Sequence, residues 1–141
     1  MIDEIYQKDL LRHAAAAVGH GRLEAPGASV TVDNPLCGDR VTLDVSTLEG
    51  RVVQLSHVVR ACLLCQASAS IIGARAEGET LARIAAIMEA VRCMLQEDVP
   101  LPGDIWSDLS AFTPVAAHRS RHNCVLLPFE ALIQAGAQSE S

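Results

Sequence analysis

Aromatic residues are scarce in this chain: one Trp, one Tyr and two Phe amount to 3% of 141 residues. The core must therefore be built mainly from Ala, Val, Leu and Ile. Half of the sequence is hydrophobic, which excludes a disordered chain. No apolar run approaches the roughly 18 residues of a membrane span. The opening MIDEIYQKDL carries acids where a signal peptide carries basic residues. Basic charge is in deficit, with 11 Lys and Arg against 17 Asp and Glu and a net charge of −6. A phosphate backbone repels such a surface, and there is no basic stripe, so neither nucleic acid nor membrane is expected as a partner. The one cationic cluster, Arg119 and Arg121 with His118 and His122, is short. A cytoplasmic location is expected. Reducing cytosol disfavours structural disulfides. The odd set of five cysteines, Cys37, Cys62, Cys65, Cys93 and Cys124, then points to metal or sulfur chemistry.

The length suits one domain over 1–141, with 136–141 expected to fray. Residues 3–18 read as a helix with an apolar stripe of Ile5, Leu10, Leu11 and Ala14. Short strands follow at 29–32, 40–45 and 51–59. In the second, Val41, Leu43 and Val45 alternate with Arg40, Thr42 and Asp44. In the third, Val53, Leu55, His57 and Val59 share a face. A helix is expected at 67–76, and Thr80 caps a longer one to 96 with Leu81, Ile84, Met88, Val91 and Leu95 at helical steps. Residues 107–112 make one helical turn that Pro114 stops. Cys124 opens a last helix to about 134. Strands followed by helices predict an α+β fold: a three-stranded antiparallel sheet with helices on one face.

Three cysteines share a placement at element ends. Cys37 follows the first strand in a Pro/Gly turn, Cys62 lies between the third strand and a helix, and Cys124 lies at a helix start. Helix N-termini favour thiolate, which is both metal ligand and nucleophile. Asp39 adds a carboxylate two residues beyond Cys37. Zinc accepts three thiolates and a carboxylate, and iron–sulfur clusters also take thiolates. Spacing alone does not bring these residues together. Cys65 is expected to pack under the first helical turn and Cys93 inside the core. His57 is expected to be packed, and His122 to lie at the surface. Ser68 and Ser70 are expected to line or cap the helix start. Arg121 either favours the Cys124 thiolate or is a surface residue.

Asn34-Pro35-Leu36-Cys37-Gly38-Asp39 resembles the NPxCGD signature of the iron–sulfur scaffold proteins called IscU, NifU and SufU. Cys62, followed by Ala67-Ser68-Ala69-Ser70, is similar to the second motif of that family. Arg121-His122-Asn123-Cys124 with Leu127 and Phe129 resembles the third. The resemblance covers roughly residues 4–135 and is closest to the SufU branch. The chaperone-recognition stretch of IscU is absent, and Cys65 stands where the family usually has no cysteine.

The resemblance implies a metal pocket of Cys37, Asp39, Cys62 and Cys124, filled by Zn2+ or by a [2Fe–2S] cluster. It implies that Cys124 accepts persulfide sulfur from a cysteine desulfurase, with iron–sulfur apoproteins or carriers downstream. The chain is then a scaffold or sulfur-transfer partner rather than a stand-alone enzyme. Two alternatives remain open. One is a structural zinc-binding interaction module without sulfur transfer. The other is an oxidoreductase using Cys62 and Cys65.

Overall fold

The computed structural model describes residues 4–34 and 38–139, with side chains from Gln7 onward. Helix α1 (Glu4–Ala16) precedes strands β1 (Ala28–Asn34), β2 (Asp39–Leu48) and β3 (Arg51–Arg60). Helices α2 (Leu63–Arg75) and α3 (Leu81–Glu97) follow. A 3-10 helix (Ser107–Ala117) and a short 3-10 turn (Arg119–Arg121) lead into α4 (His122–Ser139). No helix among the described residues is long and apolar enough to cross a membrane.

The sheet is antiparallel in the order β1-β2-β3. Val41, Leu43 and Val45 point inward and are buried with the apolar face of α4. The α+β architecture expected from the sequence is the one observed. The opposite face is polar in register: Ser29 faces Asp44, Thr31 faces Thr42, and Asp33 faces Arg40. Thr31 and Thr42 share a hydroxyl–hydroxyl bond of 3.0 Å, and Arg40 pairs with Asp33 at 2.7 Å.

Asp44 departs from this solvated pattern, because its side chain is fully buried. Arg22 donates to it at 2.8 and 3.1 Å, the Leu23 N–H at 3.0 Å and the Ser29 hydroxyl at 2.6 Å. Burial raises the pKa of the Asp44 carboxyl. The bonds from Arg22, Ser29 and Leu23 outweigh that and hold it below the ordinary 3.8. A carboxyl depressed by folding contributes stability above its unfolded pKa, and that stability is lost as pH falls through the folded value. Asp44→Asn is therefore expected to cost about 2 kcal/mol near pH 7. The gap between wild type and variant should shrink below about pH 4 in urea unfolding. An equal gap at pH 3 and pH 7 would contradict this account.

Two expectations are corrected by the fold. Val53 does not share the inward face of β3. A bulge pairs Thr47 with Val52 and Ser46 with Gln54, so Val53 is the extra residue and is 54% exposed while Val52 is buried. Pro114 does not stop the helical turn, because the segment continues as 3-10 helix to Ala117. The last helix, α4, runs to Ser139, whose hydroxyl bonds Thr47 Oγ1 at 2.9 Å. Thr80 caps α3 as expected, accepting from the Arg83 N–H at 3.0 Å.

Candidate metal centre

Three segments meet at one end of the sheet. Asp39 is the first residue of β2, opposite Asn34, and its side chain is buried on the same face as Val41. Gly38 precedes it with φ +73° and donates its N–H to the Asn34 carbonyl at 2.9 Å. Glycine adopts that left-handed backbone with no Cβ penalty, which favours glycine before the aspartate. Cys62 is the N-cap of α2, with Ala61 between it and the end of β3. Cys124 lies in the first turn of α4 and is fully buried. The Ser68 hydroxyl donates to the Val125 carbonyl at 2.7 Å, fixing α2 against α4 and hence Cys62 against Cys124.

A carboxylate oxygen of Asp39 and the Sγ atoms of Cys62 and Cys124 all lie within 4.8 Å of one another. The Cys62 N–H donates to Asp39 Oδ1 at 3.3 Å, and its Sγ approaches Oδ2 at 3.9 Å. Zinc bonds of about 2.3 Å to sulfur and about 2.0 Å to oxygen give tetrahedral edges of roughly 3.5–3.8 Å. Small side-chain rotations bring the three groups to that spacing. Burial, followed by the neighbouring Asp39 and Cys62, pushes the Cys124 thiol well above its ordinary pKa of 9.0. Two sulfurs and a carboxylate so confined repel one another when ionised, and a thiophilic divalent cation relieves that repulsion. The donor set therefore fits such an ion. Cys37, the remaining expected ligand, lies outside the described residues with Pro35 and Leu36.

Arg121 belongs to the site. Charge on Cys62 and then Cys124 raises its guanidinium pKa, as expected for a cation against two sulfurs. It lines an open groove of about 350 Å³ with Gln7, Leu10, Cys62, Leu63 and His118. No signal in the sequence placed α1 beside Cys62. His122 is buried rather than superficial. Its Nε2–H donates to the carbonyls of Val115 and Ala116, each at 3.1 Å, and the ring serves the 3-10 helix.

Cys65 is buried as expected. Cys93 is not in the core. It lies beside the buried α3 stripe of Ile84, Ile87, Met88, Val91, Met94 and Leu95, with its thiol 3.9 Å from Glu89 Oε1. His57 is buried and pinned to the Val18 carbonyl at 2.7 Å. Ser70 accepts from the Val18 N–H at 3.0 Å, so neither serine of the second motif is a nucleophile in this arrangement.

The family model for the NifU-like N-terminal domain matches residues 5–124, through the third cysteine. The crystal structure of a nitrogen-fixing NifU-like protein (N-terminal) from Brucella abortus is 36% identical. The match covers 99% of this chain and 96% of that one, with a TM-score of 0.92. A putative iron–sulfur cluster assembly scaffold protein for the SUF system from the thermophile Fervidobacterium islandicum AW-1 is 23% identical, with coverage of 94% and 96% and a TM-score of 0.85. A hypothetical protein is 22% identical, with coverage of 94% and 97% and a TM-score of 0.85. These last two likenesses show the shared fold. No curated protein matches. The domain match, the Brucella relative and the convergence of Asp39, Cys62 and Cys124 agree, and the chain belongs to the NifU-like N-terminal domain family, the group of the NifU, IscU and SufU scaffolds.

Proposed function

We propose that this protein is an iron–sulfur cluster assembly scaffold that receives sulfur from a cysteine desulfurase. The observation that carries the reading is the gathering of Asp39, Cys62 and Cys124 within 4.8 Å from three separate elements. The Fervidobacterium protein of the same fold, described as a putative scaffold of the SUF system, supports it. Cys37, Asp39, Cys62 and Cys124 would hold zinc in the resting protein, and the [2Fe–2S] cluster is the cargo assembled there and passed to apoproteins or carriers. Bound zinc would supply charge that keeps the thiols deprotonated.

In the sulfur step, Cys124 attacks the outer sulfur of the desulfurase persulfide. A new S–S bond forms on Cys124, the old one breaks, and the desulfurase cysteine leaves as thiolate, with no net oxidation. Cys124 is fully buried while Cys62 borders the groove, so the donor persulfide approaches along the Leu10, Cys62 and Arg121 wall and the site opens to admit it.

The test is anaerobic incubation of the full chain with ferrous iron, cysteine and a purified desulfurase, following cluster absorbance and persulfide on Cys124. Stoichiometric cluster and a persulfide are expected. A protein that binds zinc but takes up neither sulfur nor iron would instead be a structural zinc-binding interaction module, the reading that the burial of Cys124 favours.

Asp39 offers a hard oxygen donor to an ion that prefers sulfur, so it is the ligand that exchanges first. Asp39→Ala is expected to slow handover of an assembled cluster to an apoprotein by roughly tenfold. Transfer at the wild-type rate would remove Asp39 from the release step.

A further inference from the structure

The second motif carries two cysteines, and the function proposed above uses one of them. Cys62 caps α2 with an extended backbone, φ −67° and ψ 170°, and Cys65 lies three residues on in the first helical turn. An N-cap side chain ordinarily folds over the helix end toward the second and third helical N–H groups. Helical Cβ atoms tilt toward the N-terminus. A cysteine at the cap and one three residues later therefore lean toward each other. Helical neighbours at this spacing hold their Cβ atoms about 5–6 Å apart, and a disulfide needs about 3.5–4.5 Å. The non-helical backbone of the cap lets it lie closer than a helical residue. In the structure Cys62 makes no capping bond, because its sulfur is turned to Asp39 at 3.9 Å. Rotation about χ1 moves it from Asp39 to the helix end. Cys62 is half-buried and borders the groove, whereas Cys65 is fully buried.

We propose that Cys62 and Cys65 form a reversible disulfide that withdraws Cys62 from the metal centre. Hydrogen peroxide entering the groove oxidises the Cys62 thiol to a sulfenic acid and releases one water. The Cys65 sulfur attacks the Cys62 sulfur, the S–S bond forms, and the S–O bond breaks. The hydroxyl leaves as a second water with the Cys65 proton. Each thiol gives up one electron and the peroxide takes both. A dithiol reverses the step by exchange.

Cys124 is the competing partner, with its sulfur within 4.8 Å of Cys62. An S–S bond of about 2.0 Å there would tie α4 to the start of α2. Cys65 shares the first turn of α2 with Cys62, so the local pair is the one proposed. The withdrawal from the metal centre rests on the function proposed above; the disulfide itself does not.

The test treats the metal-free full-length protein with one equivalent of hydrogen peroxide, blocks remaining thiols and digests with trypsin without reductant. Cleavage after Arg60 and Arg75 gives peptide 61–75, which contains both cysteines, and cleavage after Arg121 isolates Cys124 in 122–141. Peptide 61–75 is expected to be unblocked and lighter by two hydrogens, with dithiothreitol restoring both thiols. In Cys65→Ala given a second equivalent of peroxide, Cys62 is expected to pass from sulfenic to sulfinic acid, which dithiothreitol does not reverse. A cross-link from 61–75 to 122–141, or full blocking of both thiols after oxidation, would overturn the proposal.

A parallel arm loads the protein with zinc alone and follows peroxide-driven release with a chromophoric chelator. Reversible release that Cys65→Ala lacks supports the coupling, and zinc retained by a protein with the disulfide formed overturns it. A protein that forms the disulfide but never binds zinc sinks the metal-centre reading and leaves the disulfide standing.

Discussion

Cys124→Ser is expected to reduce sulfur acceptance from a desulfurase persulfide to background while the protein stays folded. A serine hydroxyl is not ionised near pH 7 and forms no persulfide, so the loss is one of chemistry rather than of shape. The substitution is nearly isosteric at a fully buried position in the first turn of α4. The new hydroxyl lies beside Asp39 and Cys62, which offer it hydrogen-bond partners, so the stability cost is about 1 kcal/mol or less. Zinc affinity should fall by at least about 10–100-fold, since that is the effect of removing even outer partners of metal ligands. Mass spectrometry of the intact protein after incubation with desulfurase and cysteine reads the persulfide directly. Cys93→Ser is the control, because that thiol lies on the flank of α3 beside Glu89. Undiminished sulfur loading of Cys124→Ser would transfer the acceptor role to Cys37 or Cys62.

The placement of the centre's residues at element starts was legible where chain direction changes, whereas their gathering into one centre was implied only by the family resemblance. Asp39, Cys62 and Cys124 each sit at the start of an element, and glycine, proline and apolar periodicity mark such starts. The inward face of β2 was legible for the same reason, since Val41, Leu43 and Val45 alternate without interruption. What failed depended on contacts between distant segments. The bulge that expels Val53 is set by pairing with Ser46 and Thr47, and the alternation of β3 alone does not reveal it.

Pro114 ordinarily ends an α-helix, yet a 3-10 segment packed beside α3 tolerates it. The burial of His122 depends on two carbonyls of that segment, which its own neighbours in sequence do not announce. The end of α4 looks polar and small, and it is held by a Ser139–Thr47 bond across 92 positions of sequence. Arg121 was ambiguous until α2 and α4 were placed together, because its charge matters only beside the two sulfurs.

Gly73→Ala is expected to destabilise the protein by about 2–4 kcal/mol, against the intuition that alanine improves a helix. At an exposed helical position the exchange would gain about 1 kcal/mol. Here the loop after α1 crosses α2 directly over Gly73, and a Cβ would fall inside the contact radius of the Val18 carbonyl and close to the Gly19 backbone. Backbone does not rotate away as a side chain does, so the crossing must lift, at an overpacking cost of about 1–3 kcal/mol.

Lifting it also strains the bonds that hold Val18 and Gly19. His57 Nε2–H donates to the Val18 carbonyl at 2.7 Å, and the Val18 N–H donates to Ser70 Oγ at 3.0 Å. The His57 N–H donates to the Gly19 carbonyl at 2.9 Å. Burial holds the His57 pKa below 6.5, against the pull of the Val18 carbonyl and with help from His20, so the ring is neutral at pH 7. Leaving its buried N–H unpaired costs a further 1–3 kcal/mol or so.

The sum exceeds the helix gain, and the midpoint of thermal unfolding should drop by roughly 5–15 °C. The effect reaches the centre, because α1 carries Gln7 and Leu10 into the groove beside Cys62. Gly73→Ala protein is therefore expected to expose Cys62 and to alkylate there faster than wild type. A variant with an unchanged or higher melting temperature would show that the crossing loop moves freely over α2.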